Sequence, residues 1–309
     1  MIEFKNVKLN IKNIDISNDI SFKIEDKSVT CFIGNKNAGK STILKLISGI
    51  YKNYFGEILI NGVDIEDNTK IRIDIVHDSI ENDKNLTVKD YLEFYGSIYN
   101  RLNKVELESF IDEKLKDFSL MSYKHTNLDQ LDKETFKLID IIRILINDPQ
   151  IILFDNLFFS DNYDYNETIL SFLYTIINKK TLVFATRNMN YLDKIVDNIG
   201  ILERGVLLEY GKKNEIFRKA NFKQKIEVEI IGDIDAAINI LNSDKNVINL
   251  TYDRNMIVFS IANDDYLLNE YNLKSIENEI LKKLIDNNIK VYSFKSRGAK
   301  FSDLFSEII

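Results

Sequence analysis

Cysteine and proline each occur once in the 309 residues, at Cys31 and Pro149, and histidine only twice. A lone cysteine excludes an internal disulfide, and no charged-then-apolar leader opens the sequence, so a reducing, cytosolic location is expected. Long apolar runs are missing too. LIDIIRILI (138–146) and IILFDNLFF (151–159) are interrupted by charge or amide well short of the ~20 residues a bilayer crossing needs, so no membrane span is expected. Basic excess is also absent: 41 Lys and Arg stand against 48 Asp and Glu, a net charge of -7, which argues against a nucleic-acid partner. His77 and His125 have no metal-ligand spacing around them. What the chain does have is 45% hydrophobic residues, enough for one large domain plus a small one.

Residues 2–33 alternate like strands and end in the apolar VTCFI, where Cys31 reads as buried packing and Phe4 as core. From Ser41 the period becomes helical, with Ile43, Leu44, Leu46 and Ile47 on one face. Strand EILING (57–62), a helical stretch over about 87–122 and a helix over about 133–147 follow. Beyond Asp148-Pro149 the pattern predicts strand 151–155, helix 166–178, strand 181–186, helix 190–196 and strand 199–211, with Tyr163 and Tyr165 in a solvated loop. Strands alternating with helices imply a mostly parallel, helix-covered sheet. After about residue 220 the order becomes strand, helix, strand, strand, helix, strand, that of a ferredoxin-like α+β unit. A final amphipathic turn, KFSDLFSEII, closes the chain. Domains are therefore expected over 1–219 and 223–309.

Glycine occurs only eleven times, so its positions are informative. GNKNAGKST (34–42) fits G-x-x-x-x-G-K-[ST] after an apolar strand and before a helix, where such a loop cradles phosphates. Gly34, Asn35, Lys36, Asn37, Ala38, Gly39, Lys40, Ser41 and Thr42 are the expected nucleotide contacts. Lys40 should reach the β and γ phosphates, with Ser41 or Thr42 on Mg2+. Downstream, IILFD (151–155) reads as a buried strand that delivers Asp155 as a magnesium ligand. ATP and Mg2+ are the expected cofactors.

Asp148-Pro149 followed at once by IILFD, together with FGEILINGVDI (55–65) and GILERGVLLEYGKKNEIF (200–217), resembles the ATP-binding subunits of ABC transporters over residues 1 to about 218. The resemblance implies an α/β P-loop domain with an antiparallel β subdomain and a helical subdomain. It also implies membrane-spanning permease partners, a second ATP-binding subunit, and a peripheral location on the inner face of the cell membrane. Aligned without gaps, several hydrolytic positions depart from the family. LDKET (131–135) stands in place of the signature segment, so Asp132 sets an anion where a hydroxyl would face a triphosphate. Asp78 takes the glutamine position and remains a possible Mg2+ ligand. Arg187 takes the position of the histidine that senses the γ-phosphate, and Ile11 that of the aromatic on which adenine stacks.

Asn156 replaces the carboxylate that activates water. An amide can orient water but cannot accept its proton, at a typical cost of ~10² to 10⁴ in rate. Asn156 is equally read as a drifted residue in a retired site. Binding with slow or no hydrolysis is expected, and a heteromer with a more complete subunit is favoured over a homodimer. The appended unit of about 85 residues ending in SFKSRGAKFSDLFSEII resembles the tail found on the exporter branch that handles antimicrobial peptides and drugs, as in bacitracin-resistance and lantibiotic-immunity systems. The alternative is a nucleotide-gated sensor whose ferredoxin-like unit binds a small effector.

Overall fold

The computed structural model describes residues 1–11, 14–67, 71–78, 85–98, 102–187, 189, 191–219, 225–262 and 270–297. The closing segment from 298 onward, including the expected amphipathic turn, lies outside them. Met1–Lys213 and Asn214–Ile309 form two compact units.

The first unit carries two sheets. β1 (Ile2–Ile11), β2 (Ile14–Ile24), β4 (Phe55–Ile60) and β5 (Val63–Asp64) form an antiparallel sheet of order β2-β1-β4-β5. Phe4 is buried and stacks on Phe22 at 4.4 Å, as expected of a core residue. β3 (Val29–Ile33), β6 (Ile73–Val76), β7 (Ile151–Asp155), β8 (Thr181–Thr186), β9 (Asn198–Glu203) and β10 (Val206–Lys212) form the second sheet, of order β10-β9-β3-β8-β7-β6. All its pairings are parallel except β9 with β10. Every residue of β3 and β8 is buried, Cys31 included, as expected of strands covered on both faces, whose side chains are mostly apolar.

Helices cover this sheet. α1 (Lys40–Ile47) follows β3 and buries Ile43, Leu44, Leu46 and Ile47, the expected face. The stretch expected over 87–122 is two helices, α2 (Val88–Ile98) and α3 (Lys104–Asp117). Asn103 starts α3 with a capping box: its side chain accepts from the Val105 and Glu106 amides while Glu106 accepts from the Asn103 amide. α4 (Lys133–Asn147) runs nearly buried from the signature segment to Asp148, whose positive φ of 45° ends it before Pro149. α5 (Tyr163–Ile176) is capped by Asn162.

Three expectations are corrected here. Tyr165 is no loop residue: it lies in α5, is buried, and its hydroxyl donates to the Leu157 carbonyl at 2.9 Å. Residues 191–195 form turns rather than a helix, since the stretch is too short to repay helix nucleation. The strand expected over 199–211 is a hairpin, turned at Arg204 and Gly205, both at positive φ (47° and 82°) as two-residue hairpins require.

α6 (Lys213–Lys219) begins at the boundary between the units. The second unit holds β11 (Lys225–Ile231), α7 (Ile234–Asn242), β12 (Val247–Asp253), β13 (Met256–Ile261), α8 (Glu270–Asp286) and β14 (Lys290–Arg297). Its antiparallel sheet has the order β12-β13-β11-β14, the ferredoxin-like arrangement. Alternation along β11 sends Ile226, Val228 and Ile230 into a core shared with Leu241, Phe259, Ile280 and Leu284.

Candidate nucleotide site

The buried strand β3 delivers its chain end into the loop 34–39, and α1 leaves it. The loop is wound tightly: Asn37 and Gly39 sit at φ of 65° and 102°, the second favouring a residue without Cβ. At Gly34 the requirement is packing. A Cβ there would lie 2.2 Å from the Leu202 carbonyl oxygen and 2.7 Å from the Ala38 Cβ. Lys40 curls back over the loop, donating to the carbonyls of Gly34 (2.8 Å) and Asn35 (2.7 Å). Burial, and next the charge of Arg187, bring its pKa down to about 8. An anion between Lys40 and Arg187 would relieve both effects.

β7 carries Asp155 to the same place, where the Ser41 hydroxyl donates to its Oδ1 at 2.9 Å. Burial raises the Asp155 pKa against the Ser41 hydrogen bond and the charge of Lys137. Together with Lys36, Asn37, Lys40, Asp78, Asn156, Ala185, Thr186 and Arg187, these two residues line a cleft of about 300 Å³. The structure therefore gathers Asp78, the adjacent Asp155 and Asn156, and Arg187, from three separate places in the sequence, around the loop. Ser41 lines the cleft and its neighbour Thr42 does not. Ile11, the expected adenine position, has its side chain outside the described residues. Ser41 and Asp155 put a hydroxyl and a carboxylate oxygen together beside a phosphate-type loop, a donor set that suits Mg2+.

Asp78 is held differently. Its Oδ1 accepts from Lys133 Nζ at 2.7 Å and from Asn156 Nδ2 at 3.3 Å, with Lys137 Nζ 3.7 Å away. Burial pushes its pKa up, but these partners hold it below the usual carboxylate value. Lys137 was not expected at the site. It is fully buried, and its ammonium donates to the Asp155 carbonyl at 2.5 Å. In the signature segment Asp132, an exposed residue, caps α4, accepting from the Thr135 amide at 2.8 Å and hydroxyl at 3.2 Å. Glu134 accepts from the Asn162 amide group at 2.7 Å and from Ser160. Behind these, Arg143 joins α4 to β6 by donating to Asp140, Asp74 and the Ile75 carbonyl.

A phosphate loop between a parallel strand and a helix, facing an aspartate at the end of β7, two strands away in the same sheet, defines a P-loop nucleotide-binding domain. Residues 17–158 match the family model described as ABC transporter. The chain is 26% identical over 272 residues to an energy-coupling factor transporter ATP-binding protein of Mycoplasmoides gallisepticum, covering 85% of this chain and 95% of that one. It is also 26% identical over 259 residues to a methionine import ATP-binding protein of Oenococcus oeni, covering 80% and 71%. Among solved structures, a dimeric ATP-binding cassette in a post-hydrolysis state with ADP and Pi superposes with a TM-score of 0.62 at 23% identity, covering 69% of this chain and 98% of that one. The first unit has the fold of the ABC-type ATP-binding cassettes. Among the described residues no helix is long and apolar enough to cross a membrane.

Proposed function

We propose that this chain is the ATP-binding subunit of an ABC transporter, working with membrane-spanning permease chains and a second cassette, and that it binds ATP with little hydrolysis. The observation that supports binding is the wound loop 34–39 with Lys40 above it and Ser41 against Asp155. Gly34 to Thr42 hold the phosphates in this reading, and Ser41 and Asp155 hold Mg2+, which shields phosphate charge when bound. Slow hydrolysis is supported by Asn156, whose amide points at Asp78 and has no proton-accepting oxygen to replace a carboxylate. The hydroxyl and glycines of the usual signature are also replaced, by Asp132, Lys133 and Glu134.

Two identical copies would share the same substituted residues, which favours a heterodimer with a more complete cassette. Export of a peptide or drug is supported by the likeness of the C-terminal tail alone. Two of the relatives are named for methionine import and the energy-coupling factor, so direction is to be read from cargo uptake in vesicles of either orientation. The test of the whole reading is ATP affinity and steady-state turnover of the parent beside Lys40→Ala and Asn156→Glu. Tight binding lost in Lys40→Ala, with turnover rising at least about tenfold in Asn156→Glu, is expected. Brisk parent turnover that ignores Asn156→Glu contradicts slow hydrolysis.

A further inference from the structure

We propose, resting on the ATP-binding reading, that this cleft holds the nucleotide's phosphate chain with little dependence on a divalent cation. A divalent metal usually strengthens such binding by neutralising phosphate charge and by bridging it to protein carboxylates. At Asp78 side chains take the place of the ion, although Ser41 and Asp155 keep a place for it. The cleft contains two carboxylates, Asp78 and Asp155. Asp78 Oδ1 is bound to Lys133 at 2.7 Å and backed by Lys137 at 3.7 Å, so a cation must displace an ammonium to reach that oxygen. Lys133 is further held 4.4 Å over the ring of Phe159.

Three basic side chains, Lys36, Lys40 and Arg187, also line the cleft. The residue expected at the γ-phosphate carries a guanidinium: Arg187 offers planar donors to phosphate oxygens. Lys137 adds a buried charge behind the wall, and being fully buried it acts through Asp78 and the Asp155 carbonyl rather than on the ligand. The wall therefore presents fixed positive charge where a carboxylate-rich site would present negative charge that only a metal could bridge. Free ATP, not only its magnesium complex, is the ligand that this arrangement fits.

The experiment is calorimetric titration of the full chain with ATP, once in excess Mg2+ and once in excess EDTA. The expected dissociation constants differ by less than about tenfold. In Lys133→Met, which frees the Asp78 oxygen for metal, the ratio of the EDTA to the Mg2+ constant rises by at least about tenfold. In Arg187→Gln, at an exposed position, metal-free affinity falls by at least about tenfold. A parent that binds more than tenfold more weakly in EDTA overturns the inference and leaves the ATP reading standing, as does an unchanged ratio in Lys133→Met or unchanged metal-free affinity in Arg187→Gln. Absence of binding in both buffers overturns the ATP reading itself, and this inference with it.

Discussion

Replacing Arg143 with methionine should loosen the wall that carries Asp78. The Arg143 guanidinium is nearly fully buried and donates to Asp140 Oδ1 at 2.5 Å, Asp74 Oδ1 at 2.6 Å and the Ile75 carbonyl at 2.7 Å. Methionine conserves most of the stem and removes the cation, leaving two buried carboxylates without it. Breaking a buried ion network from one side costs about 3–5 kcal/mol. Here the carboxylates keep neutral donors: Tyr91 hydroxyl (2.7 Å) and the His77 amide (3.0 Å) for Asp140, and Asn147 (2.9 Å) for Asp74. These place the loss near the lower end, about 3 kcal/mol.

The loss carries a pH signature. Burial pushes the Asp140 pKa up, but the Arg143 charge and hydrogen bond hold it below the usual carboxylate value. A depressed carboxylate stabilises the fold above its unfolded pKa and ceases to do so as pH falls through its folded pKa. Without Arg143 burial dominates and the pKa rises, so the folded variant takes up a proton before the unfolded chain does. The variant then gains stability on acidification, and its deficit shrinks between pH 7 and about pH 4. Hydrogen exchange of the α4 peptide 133–147 reads this locally, since two units preclude treating the chain as one two-state transition. Protection should fall roughly a hundredfold at pH 7, at about 1.4 kcal/mol per decade. A deficit under about 1 kcal/mol, or one that does not change with pH, refutes the reasoning.

Three further outcomes follow from the same geometry. Gly34→Ala puts a methyl group 2.2 Å from the Leu202 carbonyl, so the loop must shift, and ATP affinity measured by equilibrium dialysis should drop by at least about tenfold while the circular dichroism spectrum is retained. Asp132→Ala removes the cap of α4 and should cost about 1 kcal/mol in hydrogen exchange of the α4 peptide, with Asp132→Ser restoring most of it. Lys40 has a pKa brought down to about 8 by burial and by Arg187, so it loses its proton as pH rises through that value. ATP affinity should accordingly weaken from pH 8 upward in the parent, whereas Lys40→Met binds weakly at every pH.

The phosphate loop and the strand-helix order were legible because both are written locally. GNKNAGKST needs no distant partner to be recognised, and the apolar runs of β3, β7 and β8 announce strands covered on both faces. The hairpin at Arg204-Gly205 was not read because apolar residues continue on both sides of the turn, so periodicity alone suggested one strand. The electrostatic wall was hidden for a different reason. Lys133, Lys137, Asp140, Arg143 and Asn147 recur at helical spacing, a pattern that ordinarily marks a solvated face. Here the last four are buried, because each finds a partner on β6, α2, β7 or the residues around Asp78. A charged stripe on a helix otherwise rich in isoleucine was the available signal.

The most direct measurement is a crystal structure of the chain with a non-hydrolysable ATP analogue. The expected density sets the phosphate chain against the amides of residues 35–42, with Lys40 turned from the Gly34 and Asn35 carbonyls onto the phosphates. An analogue bound elsewhere, or a loop whose lysine keeps its carbonyl partners in its presence, contradicts the assignment.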